Sequence, residues 1–300
     1  MGYTKATNTR TATTATQAIG VGGVDGVNSN SFIFTAVEDL GGGLKATGVI
    51  QQRLRAATST NSNVGANQNV DGQGGDLYLQ VDGGFGSVRL GKYTFLSHSS
   101  YNPFASRLLT GNGTTASVGI NGNNTLSYTT PAVSGFTAAI GVTTATTSAG
   151  TDATGLRVNY AAGPINAQFG ISLSGLTTGT NQGSNTSLAG TYDFGVAKLF
   201  ASAYTTKAGA GGSVSSATAI DAASGNQVGI SVPVGALTAK LSFRNNKKGT
   251  AASAIDRTAA GVDYALSKRT TLIAEFAADK QADTGVAKTN NVFVGLAHTF

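Results

Sequence analysis

Apolar side chains recur at every second position through much of this chain, a period that fits strands with two unlike faces rather than helices. Phe32, Phe34 and Ala36 share one face of a segment over Ser31–Glu38. Asp39-Leu-Gly-Gly-Gly43 supplies turn residues, and on the return Leu44, Ala46, Gly48, Ile50 and Leu54 alternate with Lys45, Thr47, Gln51, Arg53 and Arg55. Leu77, Leu79 and Val81 likewise lead through a glycine-rich turn to Val88 and Leu90, and Leu126 and Tyr128 lead through Pro131–Gly135 to Phe136, Ala138, Ile140 and Val142. Further pairs flank Gly163-Pro164, Gly195, Pro233–Gly235 and Ser267-Lys-Arg269. Val292, Val294 and Leu296 carry the pattern past His298 to Phe300. With a first strand near Met1–Arg10 the reading gives sixteen strands. A last strand at the end of the chain would often be an unprotected edge, and a closed barrel removes it by pairing last with first.

Short turns alternate with long Thr/Asn/Gly-rich loops, the asymmetry expected of a barrel with tight turns at one rim and loops at the other. No charged or proline-rich linker interrupts the pattern, so residues 1–300 are read as one domain. Adhesins and stacked β-helices share this composition, but they repeat rungs at a fixed period without such alternation. The fold class expected is all-β, a 16-stranded antiparallel transmembrane β-barrel.

Composition sharpens that choice. Only 11% of the 300 residues are charged while 40% are apolar, against roughly 25% charged in soluble domains. No apolar run reaches the length of a transmembrane helix. A barrel reconciles these facts, because one face of each strand meets lipid and the other meets water. The absence of cysteine removes disulfides, thiolate nucleophiles and thiolate metal sites. The net charge of +6 is dispersed, with its richest spot at Lys247-Lys248 near Arg244, so no nucleic-acid partner is expected. No apolar core follows Lys5 and Arg10, so a secretory signal is not recognised and the chain is expected to be a mature form. His98 lies between Ser97 and Ser99, yet adjacent strand residues point apart and no nucleophile-elbow glycine pattern surrounds them. Asp71–Asp76 reads as a turn rather than a calcium loop. No catalytic residue, cofactor or metal is therefore expected, and the chain is not read as an enzyme.

Five motifs occur in order along nearly the whole chain: Glu38-Asp-Leu-Gly-Gly-Gly-Leu-Lys-Ala46, Gly84-Phe-Gly-Ser-Val-Arg-Leu-Gly-Lys92, Asn124-Thr-Leu-Ser-Tyr-Thr-Thr-Pro131, Asp263-Tyr-Ala-Leu-Ser-Lys-Arg-Thr270 and Gly295-Leu-Ala-His-Thr-Phe300. Together they resemble the general porins of Gram-negative bacteria, especially the β-proteobacterial branch. The resemblance implies an outer-membrane homotrimer surrounded by lipid and lipopolysaccharide, put in place by the barrel assembly machinery with help from Phe300. It implies passive diffusion of small hydrophilic solutes and ions, or alternatively a substrate-selective pore for small anionic solutes. It also implies a third external loop folded into the pore, here about 96–122 and containing Tyr101-Asn-Pro-Phe-Ala-Ser-Arg107. The opening departs from the family, since Met1-Gly-Tyr3 matches only the second half of the usual first strand.

Alternation turns Lys45, Arg53, Arg55, Arg89, Arg157, Lys240 and Arg244 toward the lumen, together with Asp76, Asp82, Asp193, Asp263 and Glu275. Between Asp82 and Asp152 there is no acidic residue, although Arg89, Lys92 and Arg107 lie in that interval. A pore lined by one sign of charge concentrates the opposite ion, so moderate anion preference is expected. By resemblance, arginines commonly stand where this chain has Ser31 and Asn121, and Lys92 remains as the surviving member of that ladder. Lys92 nevertheless shares parity with Val88 and Leu90, and a bulge near Gly91 would be needed to turn it inward. The candidate selectivity residues are Lys92, Arg89, Arg107, Arg53 and Arg55, with Lys247 and Lys248 placed in an external loop away from the constriction.

Overall fold

The alternating segments become strands of a single antiparallel sheet in the computed structural model. It describes residues 2–8, 16–20, 30–54, 75–96, 101–104, 121–144, 152–174, 183–207, 223–248, 255–281 and 288–299. Two short strands come first, β1 (Gly2–Asn8) and β2 (Thr16–Gly20). They are followed by β3 (Asn30–Gly41), β4 (Leu44–Leu54), β5 (Leu77–Gly83), β6 (Gly86–Thr94), β7 (Asn121–Thr129) and β8 (Phe136–Thr143). Next are β9 (Ala153–Ala162), β10 (Ile165–Ser174), β11 (Gly183–Asp193), β12 (Lys198–Lys207) and β13 (Ala223–Val234). The series closes with β14 (Leu237–Lys248), β15 (Ile255–Ala265), β16 (Thr270–Gln281) and β17 (Lys288–His298).

Each strand from β3 onward pairs with the next, and β17 then pairs with β1, Tyr3 opposite Val294. The last strand thus meets the first, as the edge argument requires. One element was not foreseen: β2 pairs with β1, Tyr3 opposite Ile19, so the described residues hold the sixteen expected strand segments and this one besides. Thr16–Gly20 lacks the large apolar residues at period two that mark the other strands, so its sequence gave no comparable signal.

The tight turns follow their chemistry. At the β3–β4 connection Gly41, Gly42 and Gly43 all adopt positive φ, and the Gly41 N–H donates to Asp39 Oδ1 at 2.9 Å. Such left-handed positions favour glycine, and an Asp side chain caps the turn.

Burial is inverted relative to a water-soluble protein. Leu188 is 56% exposed and Phe34 66%, and Leu79, Leu90, Ile140 and Phe243 are likewise open on the outward face. The inward face holds buried Ser127, Gln168, Asn185, Ser202, Gln227 and Ser242. An apolar exterior around a polar interior is stable when the exterior meets hydrocarbon and the interior meets water. Among the described residues no helix is long and apolar enough to cross a membrane, a statement silent on strands.

Leu188→Arg should therefore destabilise the barrel by about 2–4 kcal/mol if that position lies near the bilayer midplane. Thr35→Arg, on the inward face of β3, should cost under about 1 kcal/mol. Denaturant unfolding in lipid vesicles measures both, and equal losses would contradict the face assignment.

Candidate functional site

The wall chosen for an inner segment is built from glycines at inward positions. Gly141 in β8, Gly170 in β10, Gly229 in β13 and Gly261 in β15 alternate with outward apolar residues, and each leaves a notch where a Cβ would otherwise stand. The segment after β6 uses all four. A Cβ on Gly141 would lie 2.8 Å from the Phe95 ring, and one on Gly170 would lie 2.7 Å from Leu96 Cδ1. Farther round the wall, a Cβ on Gly229 would meet Pro103 Cγ at 2.7 Å, and one on Gly261 would meet Phe104 Cε1 at 3.1 Å.

Phe95, Leu96 and Phe104 are fully or almost fully buried although they lie between strands. Phe95 and Leu96 pack with Tyr93, Ala139 and Tyr204, whereas Phe104 packs with Ala259 and Ala277. The Tyr101 hydroxyl donates to Asn166 Oδ1 at 3.0 Å, and Asn102 Oδ1 accepts the Phe104 N–H at 2.9 Å. Burial holds the Tyr101 phenol above its usual range, partly offset by the Arg157 charge, so it remains a neutral donor. The described parts of the expected 96–122 loop thus run along the inner wall from β8 to β15 and narrow the passage there.

Arg89 and Arg157 meet beside the root of this segment. Arg89 Nε donates to Gln80 Oε1 at 2.7 Å, and its guanidinium lies 4.3 Å from the Tyr78 ring centroid and 5.1 Å from that of Tyr93. Arg157 Nη1 donates to the Phe95 carbonyl at 2.7 Å, and its guanidinium lies 5.1 Å from the Phe95 ring centroid. The carboxylate of this network, Asp82, accepts from Gln80 and Ser87 and sits 3.7 Å from Lys45 Nζ. Among the described residues it is linked to Arg89 through Gln80, which donates to Asp82 and accepts from Arg89.

The opposite side of the wall is balanced differently. Lys240 is bonded to Asp263, and Arg257 makes a two-point ion pair with Asp279 at 2.5 and 2.6 Å. Arg244 and Glu275 are buried in the same sector. Paired charges of this kind hold the wall together but contribute little net field to the passage.

The sequence-read candidates separate. Arg89 faces inward, opposite Gln80. Arg53 pairs with Ser31 in the β3–β4 register. Arg55, Arg107, His98 and Phe300 lie outside the described residues.

Lys92 requires a correction. An irregularity does occur between Gly91 and Tyr93 in the pairing with β7, but the β5 register stays continuous and sets Lys92 opposite outward Leu77. Gly91 has φ 143°, and a Cβ there would come 2.2 Å from the Leu77 carbonyl. Lys92 instead borders an outer apolar groove of about 650 Å³ with Phe34, Ile50, Leu79 and Leu90. Lys247 and Lys248 are also corrected, since they end β14 and do not lie in a loop. Sequence reasoning missed the four socket glycines, although glycine at inward parity inside a strand was a readable signal of close approach.

The profile of the Gram-negative porin family matches residues 1–284. The chain is 28% identical over 302 aligned positions to outer membrane porin protein 32 of Delftia acidovorans, covering 91% of this chain and 81% of that protein. Among solved structures, the anion-selective porin from Comamonas acidovorans superposes with a TM-score of 0.76 at 23% identity, over 100% of this chain and 97% of that one. The trimer form of OmpT, an outer membrane protein of Vibrio cholerae, superposes with a TM-score of 0.68 at 14% identity, over 99% and 96%.

Gly141→Val should press on the buried Phe95 ring, an overpacking cost of about 1–3 kcal/mol, and push the loop root from its seat. Single-channel conductance should rise while the barrel still forms. Unchanged conductance in a folded variant would contradict a narrowing role for the seated loop.

Proposed function

We propose, from the premise that this chain belongs to the Gram-negative porin family, that its outer-membrane pore favours anions through Arg89 and Arg157. The protein is an outer-membrane channel for passive diffusion of small hydrophilic solutes, and it points to transport rather than to enzymatic chemistry. The solute gradient supplies the driving force.

One observation carries the anion reading. Two inward guanidiniums lie beside a loop whose whole interval, from Asp82 to Asp152, contains no acidic side chain. The undescribed part of that loop can therefore bring no carboxylate to them. Even in bulk water two unit charges 4 Å apart interact by about 1 kcal/mol, a roughly fivefold change in ion occupancy, and a narrow pore screens less. The name of the solved porin from Comamonas acidovorans, which calls that protein anion-selective, agrees with this sign.

The same reading makes the assembly a homotrimer, as in the OmpT trimer form. Lipid and lipopolysaccharide meet the apolar exterior, and the barrel assembly machinery inserts the chain.

Reversal potentials across a potassium chloride gradient test the selectivity. The wild-type potential should be anion-directed, and Arg89→Gln with Arg157→Gln should reduce the anion-to-cation permeability ratio by about fivefold. Lys247→Gln, at the outward end of β14, should leave it unchanged. A cation-directed wild-type potential would overturn the reading. Mass measurement in detergent tests assembly separately, with a stable monomer counting against the trimer.

A further inference from the structure

We infer that the outward face at the loop-side ends of β12–β16 is a docking surface for the phosphorylated headgroup of lipopolysaccharide. The inference deepens the lipid contact stated above and rests on the outer-membrane channel reading, with the long loops outside the cell. Lipid of some kind meets the whole exterior. A patch that selects an anionic lipid needs cations at headgroup height, and few carboxylates beside them.

Register along the strands sets that height. One outward row runs from β12 to β16 through Ala201, Val228, Phe243, Thr258 and Ala278. Two residues closer to the loops, the next outward row reads Ala203, Asn226, Asn245, Asp256 and Lys280. Lys247 lies two residues beyond Asn245, in register with Ser224 and Thr205, and Lys207 ends β12. Two residues of strand rise about 7 Å. The outward face thus passes from apolar to polar and charged within one step, as it must where hydrocarbon gives way to headgroups.

Charge on this face is polarised. Among the described side chains the outward strand lysines are Lys92, Lys207, Lys247 and Lys280, and all four lie toward the loops. Toward the tight turns the outward charge is a carboxylate, Glu38. Lysine stems can snorkel to water from either edge of a membrane, so solvation alone would not confine them to one edge. On the β12–β16 arc Lys207, Lys247 and Lys280 are exposed. The outward carboxylate among them, Asp256, accepts a hydrogen bond from Asn245. Lys280 also stands opposite Lys288 in the β16–β17 register. Like charges directly opposite destabilise a sheet, and an anion between them replaces repulsion with two attractions.

The membrane supplies an occupant of matching chemistry. Its outer leaflet consists of lipopolysaccharide, whose lipid A headgroup carries phosphates on sugars, while its inner leaflet is phospholipid. A lysine ammonium is a compact charge with three donors and accepts phosphate from many directions. Thr205, Ser224 and Asn226 add neutral donors beside the lysines, suited to sugar hydroxyls. A neighbouring copy is a poorer match, because its outward Glu38 lies at the opposite rim.

Equilibrium binding of fluorescent lipid A to the whole protein in neutral detergent tests the surface. Wild type should bind lipid A more tightly than phosphatidylglycerol or dephosphorylated lipid A, and salt should weaken the binding. Each of Lys207→Gln, Lys247→Gln and Lys280→Gln should raise the Kd about fivefold, and the triple variant more. Replacing the same three lysines with arginine should retain binding, and Glu38→Gln should match wild type. Equal affinity of the triple glutamine variant and wild type would overturn the surface. Equal binding of phosphatidylglycerol or of dephosphorylated lipid A would overturn the assignment to lipopolysaccharide. An altered oligomeric mass in the triple variant, with lipid A affinity unchanged, would give the surface to a second copy instead. Single-channel conductance of the triple variant should stay at the wild-type level. Channels without lipid A binding would remove the docking surface and leave the pore reading standing, whereas lipid A binding without channels would remove the pore reading.

Discussion

In hydrocarbon no water can replace a missing hydrogen-bond partner, and every backbone N–H and C=O of a spanning segment must find its mate inside the protein. Strands β4 to β17, and β1 after them, are paired along both edges and meet that demand. The pairing also fixes everything built on it. A strand has two faces, so half of each strand must suit lipid and half must suit the lumen. The exposure of Leu79, Leu188 and Phe243 beside the burial of Asn185, Ser202 and Gln227 is the direct result. Neither set would be tolerated with the faces exchanged.

A ladder this long encloses more space than side chains can fill, and the protein narrows it with chain rather than with bulk. The segment after β6 needs a wall it can approach closely, and inward glycines supply that wall. Phe95, Leu96, Pro103 and Phe104 seat at Gly141, Gly170, Gly229 and Gly261. Seating gives back apolar burial and dispersion contacts that a loop in water would lack. It also places the loop root beside Arg157, whose bond to the Phe95 carbonyl ties the narrowing segment to the charged wall. The steric and electrostatic features of the passage therefore depend on one another.

Charge is distributed unevenly around the wall. Across β14–β16 Lys240 and Arg257 have local carboxylates in Asp263 and Asp279, and those pairs largely cancel each other's field. Beside β6 and β9 the guanidiniums rest on aromatic rings, a glutamine and a carbonyl, partners that orient a cation without neutralising it. A side chain's sign is thus less informative than whether an opposite charge stands next to it. Lys240 and Arg89 both face inward, yet among the described residues Lys240 is bonded to a carboxylate and Arg89 to a glutamine.

Much of the architecture was legible in the sequence because strand period is local. Val292, Val294 and Leu296 declared their outward face, and the turn at Asp39–Gly43 declared its hairpin. The inward reading of Arg89, Arg157 and Lys240 followed from parity alone. Parity also argued against an inward Lys92, and the expectation that a bulge would rescue it gave way to the continuous β5 register at Leu77. β2 escaped notice because Thr16–Gly20 has too little apolar alternation to read. Local periodicity determined which way side chains point along each strand. Only the tertiary structure decided which inward residues become neighbours, because the meeting of Arg157 with Phe95, or of Phe104 with Gly261, depends on strand order, register and the path of a loop across residues far apart in the chain.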